Sequence, residues 1–185
     1  MKKILIALAE GFEEVEAMGA CDFLRRVGFT VTLAGVGGLE ITGAHGIKVI
    51  ADKLFTDVKI ADIDALVLPG GMPGSRNLYE NDQVLKAVLN IHQKGKIVAA
   101  ICAAPMVLAR AGLLANRTFT AYPGVDLGIP VKPTARMVEC DGRVITGKGP
   151  GATFAFAMKI AEELGSGAAA KKVMQDMFVV PTREQ

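Results

Sequence analysis

Tryptophan is absent from this chain of 185 residues, and aromatic residues make up only 5% of it. The core must therefore be packed from Val, Ile, Leu, Ala and Met. That composition suits a buried parallel sheet with helices on both faces. Histidine occurs only twice, and the three cysteines (Cys21, Cys102, Cys140) are scattered and form no CxxC pair. An odd, dispersed set of thiols excludes a disulfide framework, and the shortage of paired Cys and His argues against a zinc site. There is no dense Lys/Arg stretch, and the net charge is only +2. Nothing here supports nucleic acid or an anionic membrane as a partner. The apolar run near the start, "ILIALA", is too short for a membrane span or a signal-peptide core. These absences lead us to expect one domain over residues 1–185, cytoplasmic and reduced, with no metal and no cofactor.

What is present is a globular composition, 51% hydrophobic and 22% charged. Apolar strand-like runs alternate with helical spacing. Strands are expected at 3–9, 29–37, 64–71 and 96–101, with further ones in "RTFTAYPG" and "ARMVECDGRVITG", the second turning at Asp-Gly. The stretch 41–52 reads as loop, then strand. Helices are expected at 13–28, 81–95 (capped by Asn81), 103–114 and 152–165, and a short one near "AAAKKVMQDM". This alternation predicts an α/β three-layer sandwich around a mostly parallel sheet. Sites in such sheets form at the carboxyl ends of strands. That rule selects the loops "AEGFEE", "LPGGMPG", "AICAAP" and "GKGPGAT".

Cys102 falls where the strand "KIVAAI" must turn sharply into a helix. A residue at such an elbow is often strained and exposes its side chain above the sheet. Amides at a helix start would favour a thiolate there. A buried structural cysteine fits the position equally well. Cys21 lies within a helix among apolar neighbours, and nothing near Cys140 would activate it. Glu10, Glu13, Glu14 and Glu16 follow the first strand. Capping explains most of them, and one that turned inward beside a thiol would have a raised pKa and could shuttle a proton. Spacing does not say which. His92 sits at a helix end and His45 in a loop. Gly70 and Gly71 could free backbone amides for an oxyanion or simply make a turn. "AGVGG" and "GKGPG" fit neither a dinucleotide fingerprint nor a phosphate loop.

Four motifs, "ALAEGFEEVEA", "DALVLPGGMPGSRNL", "GKIVAAICAAP" and "ITGKGPGATFAFAMKIAEEL", together resemble the ThiJ/PfpI superfamily. Within it they are most similar to the branch of the Parkinson-disease deglycase and its bacterial relatives. The resemblance runs from about residue 2 to about residue 180. It implies a flavodoxin-like sandwich, a homodimer, and Cys102 as the reactive elbow cysteine. It implies Glu16 as the acid on the sulfur, Gly70, Gly71 and Ala103 as the backbone around it, and Pro150 in the turn beside it. Tyr122 stands where many members carry a histidine, and tyrosine is a poor base at neutral pH. His45 matches an arginine found near the pocket in some relatives. The implied activities are glyoxalase or protein deglycase chemistry on methylglyoxal or its adducts, or redox-sensitive chaperoning or sensing through sulfinic acid. An amidotransferase-like reading lacks a histidine after His92, and a purely structural role leaves the four site loops unexplained.

Overall fold

The computed structural model describes residues 1–179. Nine strands are described: β1 (Lys3–Leu8), β2 (Thr30–Gly35), β3 (Glu40–Thr42), β4 (Lys48–Ile50), β5 (Lys53–Leu54), β6 (Ala65–Leu68), β7 (Ile97–Ile101), β8 (Val138–Asp141) and β9 (Val144–Gly147). The six described α-helices are α1 (Glu14–Arg26), α2 (Gly74–Glu80), α3 (Asp82–Gln93), α4 (Pro105–Arg110), α5 (Thr153–Glu163) and α6 (Gly167–Asp176). The main sheet has seven strands in the order β5-β2-β1-β6-β7-β9-β8. All its pairs are parallel except β8 with β9. β3 and β4 form a separate antiparallel pair.

Each central strand divides its side chains between two cores, because successive residues point to opposite faces. On β1, Ile4, Ile6 and Leu8 pack with Ala17, Phe23, Phe156 and Ile160, beneath α1 and α5. Leu5 and Ala7 face the other way, toward Val84, Val88 and Ile91 of α3 and Val107 and Leu108 of α4. Two apolar layers thus enclose a sheet whose inner strands are apolar on both sides, as the near-continuous runs in the sequence require.

Local signals set the element ends. Glu13 caps α1, its side chain accepting from the Glu16 amide at 2.7 Å. Asn81 caps α3, accepting from Gln83 and Val84 at 3.0 and 3.1 Å. Two expectations need correction. "RTFTAYPG" is no strand and makes only an isolated bridge, Thr120 to Thr134. Its backbone is served instead by a side chain: the Thr120 amide donates to Thr146 Oγ1 at 2.9 Å. The helix expected at 103–114 is only Pro105–Arg110, since residues 102–104 are consumed by the turn. α2 falls where the sequence suggests no element; its seven residues bury little beyond Gly74, Ser75 and Leu78, too few to show a period.

Candidate active site at the carboxyl end of the sheet

The loops after β1, β6, β7 and β9 converge. The Glu13 amide donates to the Gly70 carbonyl at 2.9 Å, and the Gly74 amide to the Gly11 carbonyl at 3.1 Å. The Cys102 amide donates to the Gly147 carbonyl at 2.9 Å, and the Tyr122 amide to the Cys102 carbonyl at 2.8 Å. Both peptide groups of Cys102 are therefore tied down by main-chain atoms. Cys102 itself sits at φ +64°, in the left-handed region that non-glycine residues rarely occupy. Such a conformation costs about 1–3 kcal/mol and persists only where its surroundings hold it. The elbow expected from the sequence is present.

Glu16 is the acid that turns inward. It is 1% exposed, and its Oε2 accepts from the Gly70 amide at 2.7 Å. Close approach explains the glycine: a Cβ on Gly70 would lie 2.5 Å from both the Cys102 Cβ and Glu16 Oε2. Glu16 Oε1 is buried without a hydrogen-bond partner. The Cys102 thiol interacts with this carboxyl, although the contact lacks the geometry of a formed hydrogen bond.

Burial, reinforced by the charge of Glu13, raises the Glu16 carboxyl to about 7, against the lowering pull of the Gly70 amide and the Cys102 thiol. Burial and the Glu16 charge push the Cys102 thiol up to about 12, opposed in part by the amides of Gly71 and Ala103. This reverses the expected activation by a helix start: α4 is only six residues long and begins three residues later. Two negative charges cannot be accommodated side by side in so little water. Between about 7 and about 12 the pair therefore carries one charge and one proton, and below about 7 both acids are protonated.

Of the other sequence candidates, His45 pairs with Glu14 and is not among the groups that act on Cys102 or Glu16. Its ring Nδ1 is 2.8 Å from Glu14 Oε2, and its side chain is 71% exposed. Glu13, Glu14 and His45 bring ligand atoms within 4.8 Å of one another. Those atoms already serve hydrogen bonds to the Glu16 amide and between Glu14 and the His45 ring. Tyr122 and Pro150 line a cleft of about 400 Å³ with Pro123, Met137, Lys148, Gly149 and Gly151. Sequence reasoning missed Met137, Lys148 and the Gly147 carbonyl. No residue-type pattern marks a backbone acceptor, and Met137 reads as an ordinary strand residue.

The DJ-1/PfpI family model matches residues 2–163. The chain belongs to the DJ-1/PfpI family. It is 36% identical over 182 residues to protein dj-1beta of Drosophila melanogaster, covering 96% of this chain and 97% of that one. The crystal structure of Drosophila DJ-1beta superposes with a TM-score of 0.91 at 35% identity, covering 97% and 98% of the two chains. The chain is also 35% identical over 184 residues to the Parkinson disease protein 7 homolog of Danio rerio, covering 96% and 97%. A Pyrococcus abyssi protein named a deglycase is 34% identical over 157 residues, 83% of this chain and 94% of that one. The sandwich is thus the flavodoxin-like fold of the DJ-1 superfamily, with the central order β2-β1-β6-β7-β9 and its topological switch between β1 and β6. Among the described residues, no helix is long and apolar enough to cross a membrane.

Proposed function

We propose that this protein is a cysteine-dependent glyoxalase or protein deglycase, acting on methylglyoxal or on its adducts with protein side chains. One observation carries the reading: a strained cysteine, clamped through its backbone, lies close to a buried carboxyl that the Gly70 amide holds in place. The deglycase name of the archaeal relative supports it.

The steps balance within the site. The Cys102 sulfur bonds to the aldehyde carbon, and the proton held by the pair passes to the carbonyl oxygen, giving a hemithioacetal. The amides of Gly71 and Ala103 stabilise negative charge as it develops on that oxygen. Glu16, now a carboxylate, removes the proton on the former aldehyde carbon and returns it to the neighbouring ketone carbon, while the hydroxyl proton on the first carbon passes to the ketone oxygen. The first carbon is oxidised to a thioester and the second reduced to an alcohol. Water then adds to the thioester, the carbon–sulfur bond breaks, sulfur regains a proton, and a 2-hydroxy acid leaves. In an adduct, the sulfur displaces the protein nitrogen from the same carbon, and the proton held by the pair passes to that nitrogen, which leaves as an amine. Tyr122 has no required role as a base.

A second reading is a redox sensor or chaperone. The unpartnered Glu16 Oε1 and the amides of Gly71 and Ala103 suit the oxygens of a sulfinic acid on Cys102. We also propose a homodimer, cytoplasmic in location. The exposed Val15 on α1, with Leu39, Ile47 and Ile50 around the β3–β4 hairpin, would supply apolar contact.

The test is lactate counted per site after incubation with methylglyoxal. Many turnovers are expected, lost at least about a thousandfold in Cys102→Ser. Normal turnover in that variant would sink the mechanism. No turnover in the native protein, with peroxide oxidising Cys102 selectively, would favour the sensor.

A further inference from the structure

The cleft beside Cys102 has no part in the steps above, which need only the sulfur, a carboxyl and two amides. Its position is nevertheless tied to the elbow that carries the reacting atom. One wall begins at Tyr122, whose amide is bonded to the Cys102 carbonyl; the other begins one residue after Gly147, whose carbonyl is bonded to the Cys102 amide. The cleft therefore adjoins the main chain of the elbow, although Cys102 itself is not part of its lining.

The lining has a definite chemical character. Tyr122 is 52% exposed and Met137 37%, both among the large apolar side chains left uncovered on this molecule. Between them, Gly149, Pro150 and Gly151 form a floor nearly free of side chains. A Cβ on Gly149 would lie 3.4 Å from Tyr122 Cδ2, and one on Gly151 3.9 Å from Met137 Cε. The floor thus runs flat between an aromatic ring and a thioether. Lys148 is turned aside, its Nζ donating to the Ala135 carbonyl at 3.1 Å. A ring offered for stacking, a polarizable sulfur and a proline surface suit a flat apolar group. Apart from the Tyr122 hydroxyl and the engaged Lys148 ammonium, no side chain of the lining offers a hydrogen-bonding group.

We propose that this cleft is a specificity subsite that takes the aromatic substituent of the carbonyl substrate, so that the protein favours aryl 2-oxoaldehydes over methylglyoxal. The inference rests on the glyoxalase reading for its turnover test. It has an independent binding test.

Turnover is measured with phenylglyoxal and with methylglyoxal, and the ratio of the two kcat/KM values is compared between native protein and variants. Comparing ratios cancels the intrinsic reactivity of the aldehydes. The ratio falls about tenfold in Tyr122→Ala, the magnitude expected from one lost aromatic contact. It falls about threefold in Met137→Ser. Tyr122→Phe keeps it, since the ring and not the hydroxyl forms the wall. Acetophenone, which lacks the aldehyde, is titrated into Cys102→Ser by NMR. It shifts the amide signals of residues 148–151, and Tyr122→Ala in that background removes the shifts. A ratio unchanged in Tyr122→Ala, or no acetophenone shifts at these residues, overturns the inference. So does a change from dimer to monomer in Tyr122→Ala by light scattering, which would make the cleft a contact between copies. Should the native protein turn over neither aldehyde, the glyoxalase reading fails while acetophenone still decides whether the subsite exists.

Discussion

Glu14 and Glu16 stand two residues apart in the first turn of one helix, both buried, and the fold uses them in opposite ways. Burial pushes Glu14 up, but hydrogen bonds from the His45 ring and amide, its own amide and the Ile47 amide overcome this and hold it below the ordinary carboxylate value. Among the described residues, Glu16 has one amide donor and no cation, and it is raised to about 7. The first is a fully engaged charge that fastens the β3–β4 hairpin to the helix. The second is an acid poised between its two protonation states, against a thiol. The difference teaches that residue type and burial do not separate a structural carboxylate from a chemical one; the number of donors facing it does.

The largest way to sharpen this contrast is in turnover. Glu16→Gln is expected to lower kcat on methylglyoxal by about 100- to 10,000-fold, the range for losing a positioned proton carrier, whereas Glu14→Gln has a small effect. Equal losses in steady-state kinetics would erase the distinction. Next comes pH-dependent stability. Because folding raises the Glu16 pKa, the protonated form suits the folded state, and its burden is absent below 4.5, grows as pH rises, and levels off above about 7. Denaturant unfolding should therefore show Glu16→Gln gaining on the native protein across that window, by on the order of 3 kcal/mol in total. A pH-independent difference would mean that Glu16 does not titrate there. The smallest effect belongs to Glu14, whose pKa is lowered. Its contribution is present above the ordinary 4.5 and is lost as pH falls through the lowered value. Glu14→Gln should cost about 1–3 kcal/mol at pH 7, read from the same unfolding curves, as expected for weakened charge-assisted hydrogen bonds. It should converge on the native protein in acid.

Much of this was legible in the chain. The alternation of apolar runs with helical spacing predicts the layered sheet, and the strand-end rule picks out the four loops that meet. The step from "KIVAAI" into "AAP" predicts the elbow that φ at Cys102 displays. Which glutamate turns inward was not legible from spacing, because it depends on the Gly70 amide 54 residues away. The resemblance supplied that choice. His45 was assigned to the pocket on resemblance alone, and its partner Glu14 lies 31 residues distant, beyond any local pattern. The stretch around Tyr122 misled because its threonines and aromatics suit a strand, yet β8 already occupies the position beside β9.

The turn at Cys102 is held by carbonyl and amide atoms contributed by Gly147 and Tyr122. Those atoms are present whatever side chain either residue carries. The elbow is thus a mount whose fit does not depend on sulfur, and small residues can be exchanged at position 102 while the mount persists. Over generations, such a place permits one chemistry to be lost and another tried without the scaffold being reinvented.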